Sequence, residues 1–250
     1  NIMKLKKVMA LTMAGAMAAT TLTACGSSSS TTETTKAAET TAAAAADTTA
    51  AAAADNGSSD AETVLQVAFE NSISEPVGQG WEKAQEIIKE KSGGKMAIEI
   101  YPDSQLGDKS SLIDSMLLGE NVCTLADGAF YADYGVPDFG IVFGPFLFDS
   151  WDQVWKLVDS DWYKEQCGKL EEKGLKIIAS NWIYGERHTL TNVPVNTVDD
   201  LKGLKIRVPS NEIQSKGFDV LGATSTGMAL GDVYQALQTK TIDGAENPLA

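Results

Sequence analysis

The sequence predicts an α/β fold with a mostly parallel sheet over residues 64–250, and three observations predict it. Short apolar runs of strand length recur along this region. Segments with helical spacing of apolar residues fall between them, as they do when parallel strands are joined by crossover helices. Gly or Gly-Gly closes several of the helical segments, where a left-handed residue is needed. The elements follow in order. Val64-Leu65-Gln66-Val67-Ala68-Phe69 reads as a strand. A helix over 80–91 puts Trp81, Ala84, Ile87 and Ile88 on one stripe and stops at Gly93-Gly94. Met96 to Tyr101 alternates as a second strand. Asp108 caps a helix carrying Leu112, Met116 and Leu117, which ends at Gly119. Val122 to Ala126 is a third strand, and Ser150 caps a helix faced by Trp151, Val154, Trp155 and Val158. Leu175 to Asn181 reads as another strand. Beyond it come a strand-like 189–192, a short helix over 198–201, a strand over 204–208 and a helix over 211–221. A helix over 231–238, with Val233, Tyr234 and Leu237 inward, and a last strand over 241–246 complete the pattern.

The residues in front of this region are of another kind. Lys4, Lys6 and Lys7 precede an apolar stretch, Val8 to Ala19, that is too short for a membrane span, which needs about 20 apolar residues. Leu22-Thr23-Ala24-Cys25-Gly26 follows and resembles a bacterial lipobox, which implies that Cys25 becomes the lipid-modified first residue of the mature protein. Gly26 to Thr63 is Ser, Thr and Ala with scattered acids. It has too little to bury to offset the entropy of ordering, and it reads as a disordered tether. The expected division is a signal peptide over 1–25, a linker over 26–63, a first lobe over 64–184 and a second over 185–250. The absence of a cap or tail after the last strand reads as an incomplete second lobe.

The formal net charge is −14 over 250 residues, which argues against nucleic acid as a partner. No nucleotide-binding glycine motif, His/Cys metal spacing or marked nucleophile–base set is found, so no cofactor, metal or enzymatic activity is expected. Cys123 and Cys167 read as buried free thiols, with a disulfide left open. The single histidine, His188, reads as structural. Of 20 basic residues only Arg187 and Arg207 are arginine. Where lysine is the default cation, an arginine suggests a task for a planar fork of donors, such as gripping a carboxylate. Two ordinary salt-bridging arginines would look the same. Arg187, Arg207 and Asn247 also fall near predicted strand ends, where α/β proteins bind ligands.

Several short motifs carry a family resemblance. They are Ser92-Gly93-Gly94-Lys95, Tyr101-Pro102-Asp103-Ser104-Gln105-Leu106-Gly107, Gly144-Pro145-Phe146-Leu147-Phe148 and Tyr184-Gly185-Glu186-Arg187. They continue with Lys202-Gly203-Leu204-Lys205-Ile206-Arg207-Val208-Pro209, Val233-Tyr234-Gln235-Ala236-Leu237-Gln238 and Asp243-Gly244-Ala245-Glu246-Asn247-Pro248. In this order they resemble the solute-binding proteins of tripartite ATP-independent (TRAP) transporters. The resemblance implies a two-lobed periplasmic-binding-protein-like fold with a ligand cleft between the lobes. It implies that Arg207 pairs with a substrate carboxylate, that Arg187 and Asn247 assist, and that Asp127, Glu70 and Asn71 stand at further ligand contacts. Trp182, Tyr184, Met228 and Leu230 are expected to line the pocket, although Leu230 replaces an aromatic common in relatives. The implied partners are a small organic acid, the TRAP membrane subunits and, through Cys25, the extracytoplasmic face of a membrane. An ABC-type or sensor-coupled receptor is the alternative.

Overall fold

The computed structural model describes residues 60–249. The signal, Cys25 and most of the tether lie outside them.

Strand β1 (Thr63–Ala68) is the centre of a parallel three-stranded sheet, flanked by β2 (Met96–Tyr101) and the two-residue β3 (Val122–Cys123) in the order β2-β1-β3. Val67, Phe69, Ile98 and Ile100 form one core under this sheet, with Trp81, Ala84 and Ile88 of α1 (Pro76–Lys91) packed on it. Helix α1 begins four residues before its predicted start, because Pro76 supplies the fixed φ of a first helical turn. Gly78 is buried, and a Cβ there would run into the Ile73 carbonyl, which explains a glycine inside a helix.

Helix α2 (Lys109–Leu117) starts as predicted at Asp108, whose side chain accepts from the Ser111 amide at 2.8 Å. Helix α3 (Gly128–Asp133) and a 3₁₀ segment (Pro137–Phe143) follow and were not legible in the sequence. They pack with α5 (Asp161–Glu172) around Phe130, Val136, Phe139 and Leu170. In α4 (Trp151–Val158) the predicted Ser150 side-chain cap is absent, and the Gln153 side chain instead accepts from the Asp149 amide at 3.0 Å. Trp151 and Trp155 stack with centroids 6.2 Å apart, yet Trp151 stays 41% exposed, so it lies outside the core.

Leu175 to Asn181 is not a strand. Both edges of β1 are already occupied, and Leu175 and Ile177 pack instead against the α3–α5 core. An apolar alternating run reports burial, and a strand also needs a free edge to pair with.

The second sheet has the order β4-β7-β5-β6, formed by β4 (Arg187–Thr191), β5 (Lys205–Val208), β6 (Thr224–Gly227) and β7 (Gly244–Pro248). β5 runs parallel to β6 and β7, and β4 is antiparallel to β7, so this sheet is mixed. Helix α6 (Glu212–Val220) is capped by Asn211, which accepts from the Gln214 amide at 2.9 Å. Helix α7 (Val233–Gln238) has only six residues and buries only Ala236, while Tyr234 is 76% exposed. That corrects the expected inward face of Tyr234, and of Leu237, which is also exposed. At Gly244 a Cβ would collide with the Leu190 carbonyl oxygen and stand 2.9 Å from Thr191 Cγ2. Gly244→Ala is expected to cost about 1–3 kcal/mol, as overpacking does. Urea unfolding monitored by tryptophan fluorescence reads this as a lowered midpoint.

The segments that carry the two sheets touch at specific points. The Leu230 amide donates to Glu70 Oε1 at 3.0 Å, and the Glu212 amide donates to Asp133 Oδ2 at 3.0 Å. Ile213 Cδ1 occupies the space a Cβ at Gly140 would take, so a larger residue there would have to displace the Ile213 side chain.

Candidate functional site

Strands β5, β6 and β7 run the same way, so their carboxyl ends form one edge of the second sheet, and the first residue of β4, Arg187, pairs with Pro248 at that edge. The register pairs Arg207 with Ala245 and Thr226, which puts its Cβ on the face of β7 that also carries Asn247. Arg187 starts on the opposite face, with Glu246. The two arginines therefore straddle β7. The carboxyl end of β1 reaches the same place, since Glu70 accepts from Leu230 just beyond β6.

Arg207 is 2% exposed. Its Nε donates to the Met228 carbonyl at 2.9 Å and its Nη1 to the Glu246 carbonyl at 3.3 Å. Both acceptors are neutral, and among the described residues no carboxylate forms an ion pair with it. Burial pushes its pKa below the ordinary arginine value. Glu70 and then Glu246 pull it back up, Arg187 pushes it down and Tyr184 raises it, which identifies the charged and polar groups around it. Desolvating a guanidinium without a counter-charge is expensive, and fixed backbone dipoles offset only part of that cost.

Arg187 is held differently. Its Nε and Nη2 donate to the two oxygens of Glu246 in a bidentate pair, and its guanidinium lies 5.4 Å from the Phe143 ring centroid. Glu246 is 4% exposed and also accepts from Gln214 Nε2. Gln214 in turn accepts from Asn211 Nδ2. A relay Asn211–Gln214–Glu246–Arg187 thus runs from the start of α6 through β7 to β4, and all but Arg187 are buried. Sequence reasoning missed Gln214, Asn211 and Glu246. For Glu246 a signal existed, an acid inside the otherwise apolar strand Gly244–Pro248.

The other expected residues divide into two groups. Asn71 is 7% exposed, and its Nδ2 donates to Tyr184 Oη and Glu75 Oε2, both at 2.8 Å, which ties the end of β1 to the approach to Arg187. Asn247 is half-buried and donates to the Pro248 carbonyl at 3.3 Å. Trp182 stacks on Trp81 at 4.7 Å. Asp127 is engaged elsewhere: its Oδ1 caps α3 through the Ala129 amide at 3.0 Å, and Oδ2 lies 3.9 Å from Lys109 Nζ. His188 is exposed and opposite Asn247 in the ladder. Cys123 and Cys167 are free, and burial pushes the Cys123 thiol up to about 11. A surface concavity of about 450 Å³ lined by Pro137, Asp138, Ile141, Leu157 and Trp162 shares no residue with the arginine cluster. Among the described residues no group of three or more His, Cys, Asp or Glu side chains gathers as a metal site would, and no helix is long and apolar enough to cross a membrane.

Two α/β sheets whose carboxyl edges meet around a buried arginine bonded only to carbonyls have the two-lobed architecture of the periplasmic-binding-protein class. The comparisons agree. Residues 67–250 match the family described as bacterial extracellular solute-binding protein, family 7, and the chain belongs to that family. The C4-dicarboxylate-binding periplasmic protein of Rhodobacter capsulatus is 33% identical over 173 residues, covering 69% of this chain and 52% of that protein. The sialic acid-binding periplasmic protein of Vibrio cholerae is 30% identical over 197 residues, 77% of this chain and 60% of that one. Among solved structures, a TRAP periplasmic solute binding protein from Ochrobacterium anthropi with bound L-fuconate is 41% identical. It superposes with a TM-score of 0.72 over 74% of this chain and 62% of that one. The chain therefore spans between about half and three-fifths of the length of these relatives.

Proposed function

We propose that this protein is the extracytoplasmic receptor of a TRAP-type secondary transporter, that it captures a small organic acid by its carboxylate on Arg207, and that it hands the acid to the membrane subunits. The observation that carries this reading is the buried charge of Arg207, held by two backbone carbonyls and no carboxylate among the described residues. A ligand carboxylate completes the pairing with charge-assisted bonds, which are about twice as strong as neutral ones. Arg187 and Asn247 assist from β4 and β7, and Asn71 and Glu70 face the ligand from the end of β1. Tyr184, Trp182, Met228 and Leu230 line the surroundings, and Asp127, besides capping α3, stands at a further ligand contact. Dicarboxylate, sialic acid and fuconate, named for the three relatives, share a carboxylate. Residues 64–184 and 185–250 act as the two lobes, and ligand contacts to both bias the closed state. The chain acts as a receptor and not as a catalyst.

A thermal-shift screen of the full-length protein against an organic-acid library tests the reading. A true ligand at about 100 times its Kd adds about 2.7 kcal/mol of stability. A flat response to every carboxylate, with a shift from neutral sugars or amines, would contradict it.

Lys4, Lys6, Lys7, the apolar stretch after them and Leu22-Thr23-Ala24-Cys25 support export and lipid attachment at Cys25. Cys25→Ser is expected to move the protein from the detergent phase to the aqueous phase in a Triton X-114 partition. An unchanged partition would remove the anchor from the account.

A further inference from the structure

Gln214 makes no hydrogen bond to either arginine, yet its side chain is 6% exposed in the first turn of α6 and its amide works in both directions. Its Nε2 donates to Glu246 Oε1, and its Oε1 accepts from Asn211 Nδ2. Asn211 fixes this order, because its Oδ1 is taken by the Gln214 backbone amide at 2.9 Å as the cap of the helix. A flipped Gln214 would set its carbonyl oxygen against the Glu246 carboxylate and its NH2 group against that of Asn211. The turn that carries Gln214 is held as well, since Asp133 Oδ2 accepts from the Glu212 amide at 3.0 Å. The Glu246 carboxylate is therefore gripped from the α6 side while both of its oxygens accept from Arg187. That pairing uses the Nε–Nη2 edge and leaves Nη1 as the donor not spent on Glu246.

We propose that Gln214 is a positioning residue for ligand capture: its amide locks the Glu246 carboxylate in the orientation that aims Arg187 at the bound acid. This rests on the reading of Arg187 as an assisting ligand contact. The terminal torsion of a glutamate has a broad minimum, so the bonds to Arg187 alone do not fix the carboxylate plane. A bidentate pair moves as one body, and a swing of the Glu246 carboxylate carries the guanidinium with it. The third bond, from Gln214, removes that freedom before the ligand arrives, and pre-organisation of this kind lowers the cost of ordering on binding.

Gln214→Glu tests this, because it keeps the shape and the acceptor for Asn211 but donates to Glu246 only while protonated. Two facing carboxyls hold a shared proton above the ordinary carboxylate range, so the donor is present at about pH 5 and gone by about pH 8. The other charged groups around this position are Arg187 of β4, Arg207 of β5, Asp133 of α3, and Glu212 and Lys216 on α6. The parent protein carries all of them, so its affinity at the same pH is the control. Titration calorimetry of the full-length protein uses L-fuconate, succinate and N-acetylneuraminate as probes. The best-bound of the three is expected to bind Gln214→Glu roughly tenfold more weakly than the parent at the higher pH and within about threefold of it at the lower. Recovery in the same polypeptide separates lost positioning from lost folding. Gln214→Met, which never donates, is expected to bind weakly at both. The Arg187 Nε–H resonance, assigned by its loss in Arg187→Lys, is expected to move between the two conditions in Gln214→Glu and to stay in the parent. A variant-to-parent ratio that ignores pH, parent-like binding by Gln214→Met, or an Arg187 signal that stays put in Gln214→Glu overturns the inference and leaves organic-acid capture standing. Silence of the parent toward all three probes also overturns it, and capture falls as well only when the wider acid library is silent too.

Discussion

Arg207→Lys is expected to weaken ligand binding by about 3–5 kcal/mol, roughly two to nearly four orders of magnitude in Kd, while leaving the fold intact. The size follows from the geometry. The guanidinium of Arg207 is 2% exposed, and two of its N–H groups are committed to the Met228 and Glu246 carbonyls. Those two bonds aim the remaining donors as a fork. A lysine ammonium has three donors on one atom, so it cannot satisfy both carbonyls and also present a planar pair to a carboxylate. It is also more strongly hydrated, which raises the cost of keeping it buried. Calorimetry with the acid that gives the largest thermal shift reads the loss, and circular dichroism of the variant checks the fold. Near-native affinity would assign Arg207 to the lobe's own architecture.

Glu246→Leu is expected to have the largest effect on stability, a loss of about 3–5 kcal/mol, because it removes one partner of a buried ion pair and leaves the other unpaired. Glu246 accepts from Arg187 twice and from Gln214 once, so three donors lose their acceptor together. Arg187 is more exposed than Glu246, with side-chain exposures of 24% and 6%, so water recovers part of the loss on its side. Gln214 is buried and recovers little. Urea denaturation followed by far-ultraviolet circular dichroism measures it. A midpoint within error of the parent would mean that the Asn211–Gln214–Glu246–Arg187 relay carries no net stability.

Most strands and helices of the fold were legible because their local signals agree. Asp108 is a helix cap in both sequence and structure, and the strand over 96–101 buries Ile98 and Ile100 as its alternation suggests. The strand predicted over Leu175 to Asn181 failed for a non-local reason: whether an extended run joins a ladder depends on an edge supplied by other residues. Strand β6 was missed because Thr224–Gly227 contains no large apolar residue and owes its place to the edge of β5. Helix α3 was hidden by its length of six residues.

The candidate site was legible in a different measure. The scarcity of arginine singled out Arg187 and Arg207, and strand ends gave them a common edge. What the sequence did not reveal is that the two arginines have different electrical roles. That difference depends on Glu246, placed beside Arg187 by an antiparallel register that no local pattern encodes. The cap that Asp127 forms on α3 was likewise not read from the sequence, since an Asp before a Gly-Ala helix start serves as a cap as readily as a ligand contact.

The central claim is that the Arg207 charge receives the ligand's carboxylate. Comparing the best-bound acid with its primary amide, by calorimetry on the unmodified protein, tests this most directly, because the two differ little in shape and fully in charge. The account predicts that the amide binds roughly a hundredfold more weakly, about 2.7 kcal/mol. An amide bound as tightly as the acid would contradict it.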